Sequence, residues 1–94
     1  MSGRAGPVLH AGPVAEAVVA AIRALNADVS VLNRGAYLRV SAAGRCRVTR
    51  EAIEREIGAT FELPRDLEAV MSSFAGRLTV DEGEAVWTAP GQKR

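Results

Sequence analysis

The stretch that decides the fold is VSVLNRGAYLRVSAAGRCRV, residues 29–48. Apolar and polar side chains alternate along it, which predicts strands with one apolar face. Two runs with turn chemistry, residues 33–35 and 42–44, divide it into three strands. The stretch therefore predicts an antiparallel meander. Cys46 and Val48 lie on its core face, and the opposite face carries Tyr37, Arg39, Arg45 and Arg47.

Helical patterns lie on either side of this meander. Pro13 suits a first helical position, and apolar residues recur at helical spacing after it, which predicts a helix over about 13–26. Thr49 is a good N-cap for a short helix over 50–57 that ends at Gly58. Pro64 opens a second short helix that runs to Val70.

The remaining segments have extended or irregular patterns. Residues 7–10 are a short extended candidate, and residues 72–76 read as irregular. Residues 77–80 and 84–88 are typical of a hairpin. We therefore predict an α+β fold in which antiparallel sheets, a meander plus a C-terminal hairpin, pack with one longer N-terminal helix and two short helices.

A chain of 94 residues leaves room for one domain. We expect this domain over residues 7–88, with a flexible N-terminal arm over 1–6 and a disordered C-terminal tail over 89–94. The longest apolar stretch, residues 14–25, contains two charges and is too short to cross a bilayer. Together with the single free thiol, this predicts a cytoplasmic protein.

The composition excludes several classes of site. One cysteine, Cys46, rules out an internal disulfide, and a single histidine, His10, rules out a His-rich metal site. No nucleotide-binding glycine loop and no nucleophile elbow is present. We expect Cys46 to be a buried, inert thiol and the protein to be free of catalytic residues, metal and cofactor.

The polar face of the meander is the strongest local indication of function. Such a face can be plainly solvent-exposed, or it can be a protein interface, because Tyr and Arg are enriched at binding hot spots. It can also bind single-stranded nucleic acid, although that mode usually needs two or three stacking aromatics and the face offers only Tyr37. Phe74, a lone aromatic among small residues, is expected to fill part of the core.

Taken together, several segments resemble the effector proteins of soluble diiron multicomponent monooxygenases, also called coupling or regulatory proteins. The resemblance runs from about residue 6 to residue 87. Within the family, the sequence is most similar to the toluene monooxygenase branch. It rests on the segments Gly6–Gly12, Asn33–Val40, Val48–Arg50, Ile53–Gly58 and Ser73–Gly76, with Phe61 and Leu67-Glu68 between the last two.

The resemblance implies a cofactor-free, non-enzymatic subunit. Such a subunit binds the diiron hydroxylase near its active site, reshapes that site and couples electron input to hydroxylation or epoxidation of a hydrocarbon. A Rieske ferredoxin and a reductase are expected in the same system. Together with the polar face of the meander, the resemblance implies a partner interface. This interface is formed or supported by Asn33, Arg34, Tyr37, Arg39, Ser73, Phe74, Ala75, Gly76 and Arg77.

Overall fold

The computed structural model describes residues 3–91 and confirms an α+β fold with antiparallel sheets and three helices. The elements follow one another as β1 Arg4–His10, α1 Pro13–Leu25, β2 Val29–Asn33, β3 Tyr37–Ala43, β4 Arg45–Thr49, α2 Arg50–Ile57, α3 Arg65–Val70, β5 Met71–Ala75, β6 Arg77–Val80 and β7 Glu84–Thr88. None of the helices described is long and apolar enough to cross a membrane.

The strands form two antiparallel sheets. The large sheet has the order β2-β3-β1-β5, and the small sheet has the order β4-β7-β6. β2 and β3 pair as the meander predicts, but β4 does not continue that sheet: it pairs with β7 instead. Local alternation shows which side of a strand faces the core but not which strand lies beside it, so this part of the prediction is corrected.

The helices begin and end where the residue types require. Pro13 is the first residue of α1, and Asn26 follows its last turn, close to the predicted bounds. The Thr49 hydroxyl accepts a hydrogen bond from the Ala52 amide at 3.1 Å, and Gly58 ends α2 in the left-handed conformation. The predicted caps of α2 are therefore confirmed.

One continuous core lies between the two sheets and the helices. Trp87, Ile22, Leu9 and Val40 are almost completely buried in it. The buried positions of α1 include three alanines, Ala15, Ala17 and Ala21. Their short side chains let the helix backbone approach its neighbours closely.

Two segments differ from the sequence prediction. Residues 71–75 form strand β5, although residues 72–76 read as irregular, because the backbone of β5 pairs with β1. A bulge at Ser72 interrupts this pairing. At the start of the chain, β1 begins at Arg4, so residues 4–6 of the expected arm belong to the large sheet.

At the other end, Ala89 of the expected tail is buried. Residues 1 and 2 of the arm and residues 92–94 of the tail lie outside the described residues.

Candidate functional site: the outer face of the large sheet

The large sheet has one side towards the core and one side away from it, here called the outer face. On β3, Leu38, Val40 and Ala42 are buried on the core side, and Tyr37 and Arg39 are exposed on the outer face. The strand period of two therefore orients both predicted interface residues of β3 outward.

The neighbouring strands extend this face in register. Arg39 lies opposite Val8 of β1, and Val8 lies opposite Ser73 of β5. Leu32 of β2 lies on the other side of Arg39. Directly opposite residues of antiparallel strands project from the same side of a sheet. The outer face thus has one continuous row, Leu32-Arg39-Val8-Ser73, across all four strands.

A shallow groove of about 320 Å³ runs over β1 between β3 and β5. Its floor is low because Gly6 has no side chain, and a Cβ atom there would collide with the carbonyl oxygen of Val40. The groove brings together residues from three strands and both predicted segments, namely Arg4, Gly6, Val8, Arg39, Val40, Ser41, Ser73, Phe74 and Ala75.

Three large apolar side chains of the large sheet are exposed, and one of them, Phe74, lines the groove. The exposed fractions are 41% for Tyr37, 47% for Leu32 and 45% for Phe74. The expectation that Phe74 fills part of the core is therefore wrong: β5 is the edge strand of the large sheet, so the ring has no neighbouring strand on one side.

The charge on this face is positive. Arg39 forms no ion pair with any residue between 3 and 91. Arg4 donates hydrogen bonds to the Ser41 hydroxyl at 2.9 Å and the Ser41 carbonyl at 3.0 Å, and forms an ion pair with Asp28 at 3.2 Å. Arg4 therefore fastens β1 to β3, and Arg39 remains available to a partner.

The predicted residues of the β2–β3 turn have supporting positions. The side-chain oxygen of Asn33 accepts a hydrogen bond from the Gly35 amide at 2.8 Å. The Arg34 amide donates to the Tyr37 carbonyl at 2.9 Å, and the Arg34 side chain is exposed. Asn33 thus shapes the turn that leads into Tyr37.

Gly76 and Arg77 lie off the outer face. Gly76 joins β5 of the large sheet to β6 of the small sheet, and Arg77 is the first residue of β6. A Cβ atom on Gly76 would lie 2.6 Å from the Thr88 carbonyl oxygen and 2.8 Å from the Ala5 Cβ atom. Gly76 is therefore needed for the crossing between the sheets.

Arg45 and Arg47 also belong to the small sheet, so the prediction that they share a face with Tyr37 and Arg39 is wrong. The parity within each strand is as predicted, but the chain changes sheet at Gly44. Arg47 forms an ion pair with Glu84 at 2.6 Å.

Gly6, Val8 and Leu32 of the outer face were missed by sequence reasoning. The position of β1 beside β3 depends on pairing between distant segments, and only the alternation around Val8 and His10 could have indicated an outward side.

Cys46 is the single thiol of the chain. Cys46 is completely buried, as predicted, and burial raises the pKa of its thiol from 9.0 to about 12. The thiol is therefore neutral and shielded at ordinary pH. Between residues 3 and 91 no three His, Cys, Asp or Glu side chains are grouped as ligands of a metal ion.

Known proteins share the sequence pattern and the fold of this chain. The MmoB/DmpM family model matches residues 4–88. The effector subunit of the alkene monooxygenase system of Xanthobacter autotrophicus (strain ATCC BAA-1158 / Py2) is 43% identical over 84 residues, which is 87% of this chain and 82% of the relative.

Two structures of a phenol hydroxylase–regulatory protein complex contain chains with the same fold. The first has a TM-score of 0.82 at 19% identity and covers 92% of this chain and 98% of the matched chain. The second has a TM-score of 0.76 at 20% identity, with coverage of 92% and 99%. Because the family model spans every helix and strand described, this chain belongs to the MmoB/DmpM family.

Proposed function

We propose that this protein is the effector subunit of a bacterial multicomponent monooxygenase and that the outer face of the large sheet binds the diiron hydroxylase. Family membership and the 43% identity to an alkene monooxygenase effector subunit support a non-catalytic regulatory role. They do not support the nucleic-acid alternative. We further propose a hydrocarbon as the hydroxylase's substrate, a Rieske ferredoxin and a reductase as further components, and the cytoplasm as the compartment.

The observation that carries the docking surface is the groove over β1. It joins Arg39 of one predicted segment to Ser73, Phe74 and Ala75 of the other, with the small floor residue Gly6 between them. Arginine and aromatic side chains are enriched at binding hot spots, and a glycine in the floor lets a partner's backbone approach closely. Asn33 and Arg34 contribute by holding the turn before Tyr37.

An effector of this kind acts through a difference in affinity. It shifts the hydroxylase towards its active conformation only as far as it binds that conformation more tightly than the resting one. The proposed source of this difference is the outer face, where the Arg39 side chain is exposed and forms no ion pair within the described residues. Better coupling of electron input to substrate oxidation is the expected result.

The test is a titration of the cognate hydroxylase with Tyr37→Ala and Arg39→Ala effectors. Loss of one hot-spot side chain costs on the order of 2 kcal/mol, or about thirtyfold in affinity. Each variant should need that much more effector for half-maximal hydroxylation, and it should release more peroxide at limiting effector. Matched controls are Leu25→Ala and Arg23→Ala on α1, which remove exposed side chains of the same classes.

Urea unfolding should show that all four variants keep their fold. If the β3 variants titrate like wild type, the docking surface lies elsewhere, most simply on α1, and the control variants would then be the weakened ones.

A further inference from the structure

The small sheet carries a cross-strand row of two arginines with a threonine between them. Arg45 of β4 and Arg77 of β6 are both directly opposite Thr88 of the central strand β7. The neighbouring row, Cys46-Trp87-Leu78, faces the core, with Cys46 and Trp87 completely buried. Arg45, Thr88 and Arg77 therefore project from the opposite side of the sheet, away from the core.

Both guanidinium groups of this row are unengaged by carboxylates within the described part of the chain. Arg45 and Arg77 are exposed, and neither forms an ion pair with a residue from 3 to 91. Glu84, the acidic residue of β7, is engaged by Arg47 at 2.6 Å. The row thus concentrates two positive charges on strands about 10 Å apart, since adjacent strands are separated by about 4.8 Å.

A groove adjoins Arg77 at this end of the small sheet. Its volume is about 450 Å³, and its lining combines hydroxyl groups with small or apolar residues: Gly76, Thr79, Thr88, Ala89 and Pro90, with Gly91 at the end. The hydroxyls of Thr79 and Thr88 can donate to an anionic group that the Arg77 guanidinium attracts.

We propose that the Arg45-Thr88-Arg77 row is a second docking element, which binds acidic side chains on the surface of the hydroxylase. This inference rests on the proposed effector function and extends its footprint from the large sheet to the small one. The chain path supports it: β5, which borders the outer-face groove, continues through Gly76 directly into Arg77. Carboxylates are the occupants, because two separated guanidinium forks suit two carboxylates of a protein surface, and the exposed Pro90 offers apolar contact beside them.

The test uses Arg45→Gln, Arg77→Gln and the double variant in effector titrations of the cognate hydroxylase at several salt concentrations. The double variant should raise the effector concentration for half-maximal hydroxylation by roughly tenfold, and it should weaken the salt dependence of binding. The charge-reversed double variant, Arg45→Glu with Arg77→Glu, should lose more affinity for the hydroxylase than the double glutamine variant. Arg55→Gln, an exposed arginine on α2, is the matched control and should titrate like wild type.

The outcomes separate this inference from the proposed function. If the wild-type protein fails to activate the hydroxylase, both the effector assignment and the inference about the Arg45-Thr88-Arg77 row are overturned. If Tyr37→Ala weakens activation but the Arg45/Arg77 double variant does not, only the row is overturned.

Two other occupants of the Arg45-Thr88-Arg77 row would also overturn this inference. One is a second copy of this chain, seen as self-association that the double variant abolishes in sedimentation. The other is phosphate, seen as retention on single-stranded DNA that the double variant abolishes while its hydroxylase titration stays unchanged.

Discussion

Replacing Gly76 with alanine should destabilise the protein through the crossing between the two sheets. The φ angle of Gly76 is 95°, a conformation that costs an L-residue about 1–2 kcal/mol. The new methyl group would also lie 2.6 Å from the Thr88 carbonyl oxygen and 2.8 Å from Ala5 Cβ. Neither atom is the end of a flexible side chain, so a further cost of about 1–3 kcal/mol is expected for overpacking.

Gly35→Ala is the matched control for this change. Gly35 has a φ of 82°, and no atom lies within 4 Å of the added Cβ. Gly35→Ala should therefore lose stability only through the unfavourable backbone conformation. The difference in free energy of unfolding between the two variants then isolates the contact with Thr88 and Ala5. We expect that difference to be about 1–3 kcal/mol, or roughly 5–20 °C in melting temperature for a domain of this size.

Urea unfolding followed by Trp87 fluorescence measures both variants on the same signal. A Gly76→Ala urea midpoint equal to that of Gly35→Ala would refute the argument, because the methyl group added between the two sheets would then cause no loss of stability. If Gly76→Ala instead keeps its stability but loses hydroxylase activation, Gly76 acts at the partner interface and not in the crossing.

Three further changes test the core and its polar bonds. The Asn26 side chain donates to the Ile22 carbonyl of α1 at 2.7 Å, donates to the Arg47 carbonyl of β4 at 2.7 Å and accepts from the Arg47 amide at 3.0 Å. Asn26→Ala removes these bonds and should lower the free energy of unfolding, measured by urea unfolding, by about 1–3 kcal/mol. Phe74→Ala should cost under about 1 kcal/mol because its ring is exposed, whereas Phe61→Ala, at 3% exposure, should cost about 3–5 kcal/mol in the same assay. The Cys46 thiol should react with thiol reagents only after unfolding.

Because the pKa of Cys46 rises from 9.0 to about 12 on folding, the unfolded thiol ionises first. Stability should therefore fall as pH rises from 9 towards 12. Cys46→Ala should have a shallower slope over that range.

The helices and the facing of individual strands could be predicted from sequence because their causes are local. Pro13 and the apolar spacing after it define α1, Thr49 and Gly58 define α2, and alternation correctly separates Tyr37 and Arg39 from the buried side of β3. Each of these signals acts over a few residues.

The assembly of the sheets could not be predicted in the same way. Arg39 and Arg45 have the same local pattern, yet they lie on different sheets, because β1 takes the place beside β3 and β4 pairs with β7. Strand β5 contains no β-branched residue, and its extended state comes from pairing with β1. The groove depends on this non-local pairing, so its floor residues Gly6 and Val8 were missed.

The central position of β1 also has a consequence for how the chain folds. β1 is the first strand along the chain, but its partners are β3 and β5, and Gly6 pairs with Ala75 near the opposite end. The four-stranded sheet therefore becomes complete only when β5 pairs with β1. Such dependence on distant pairing is typical of domains that fold cooperatively in milliseconds to seconds rather than microseconds.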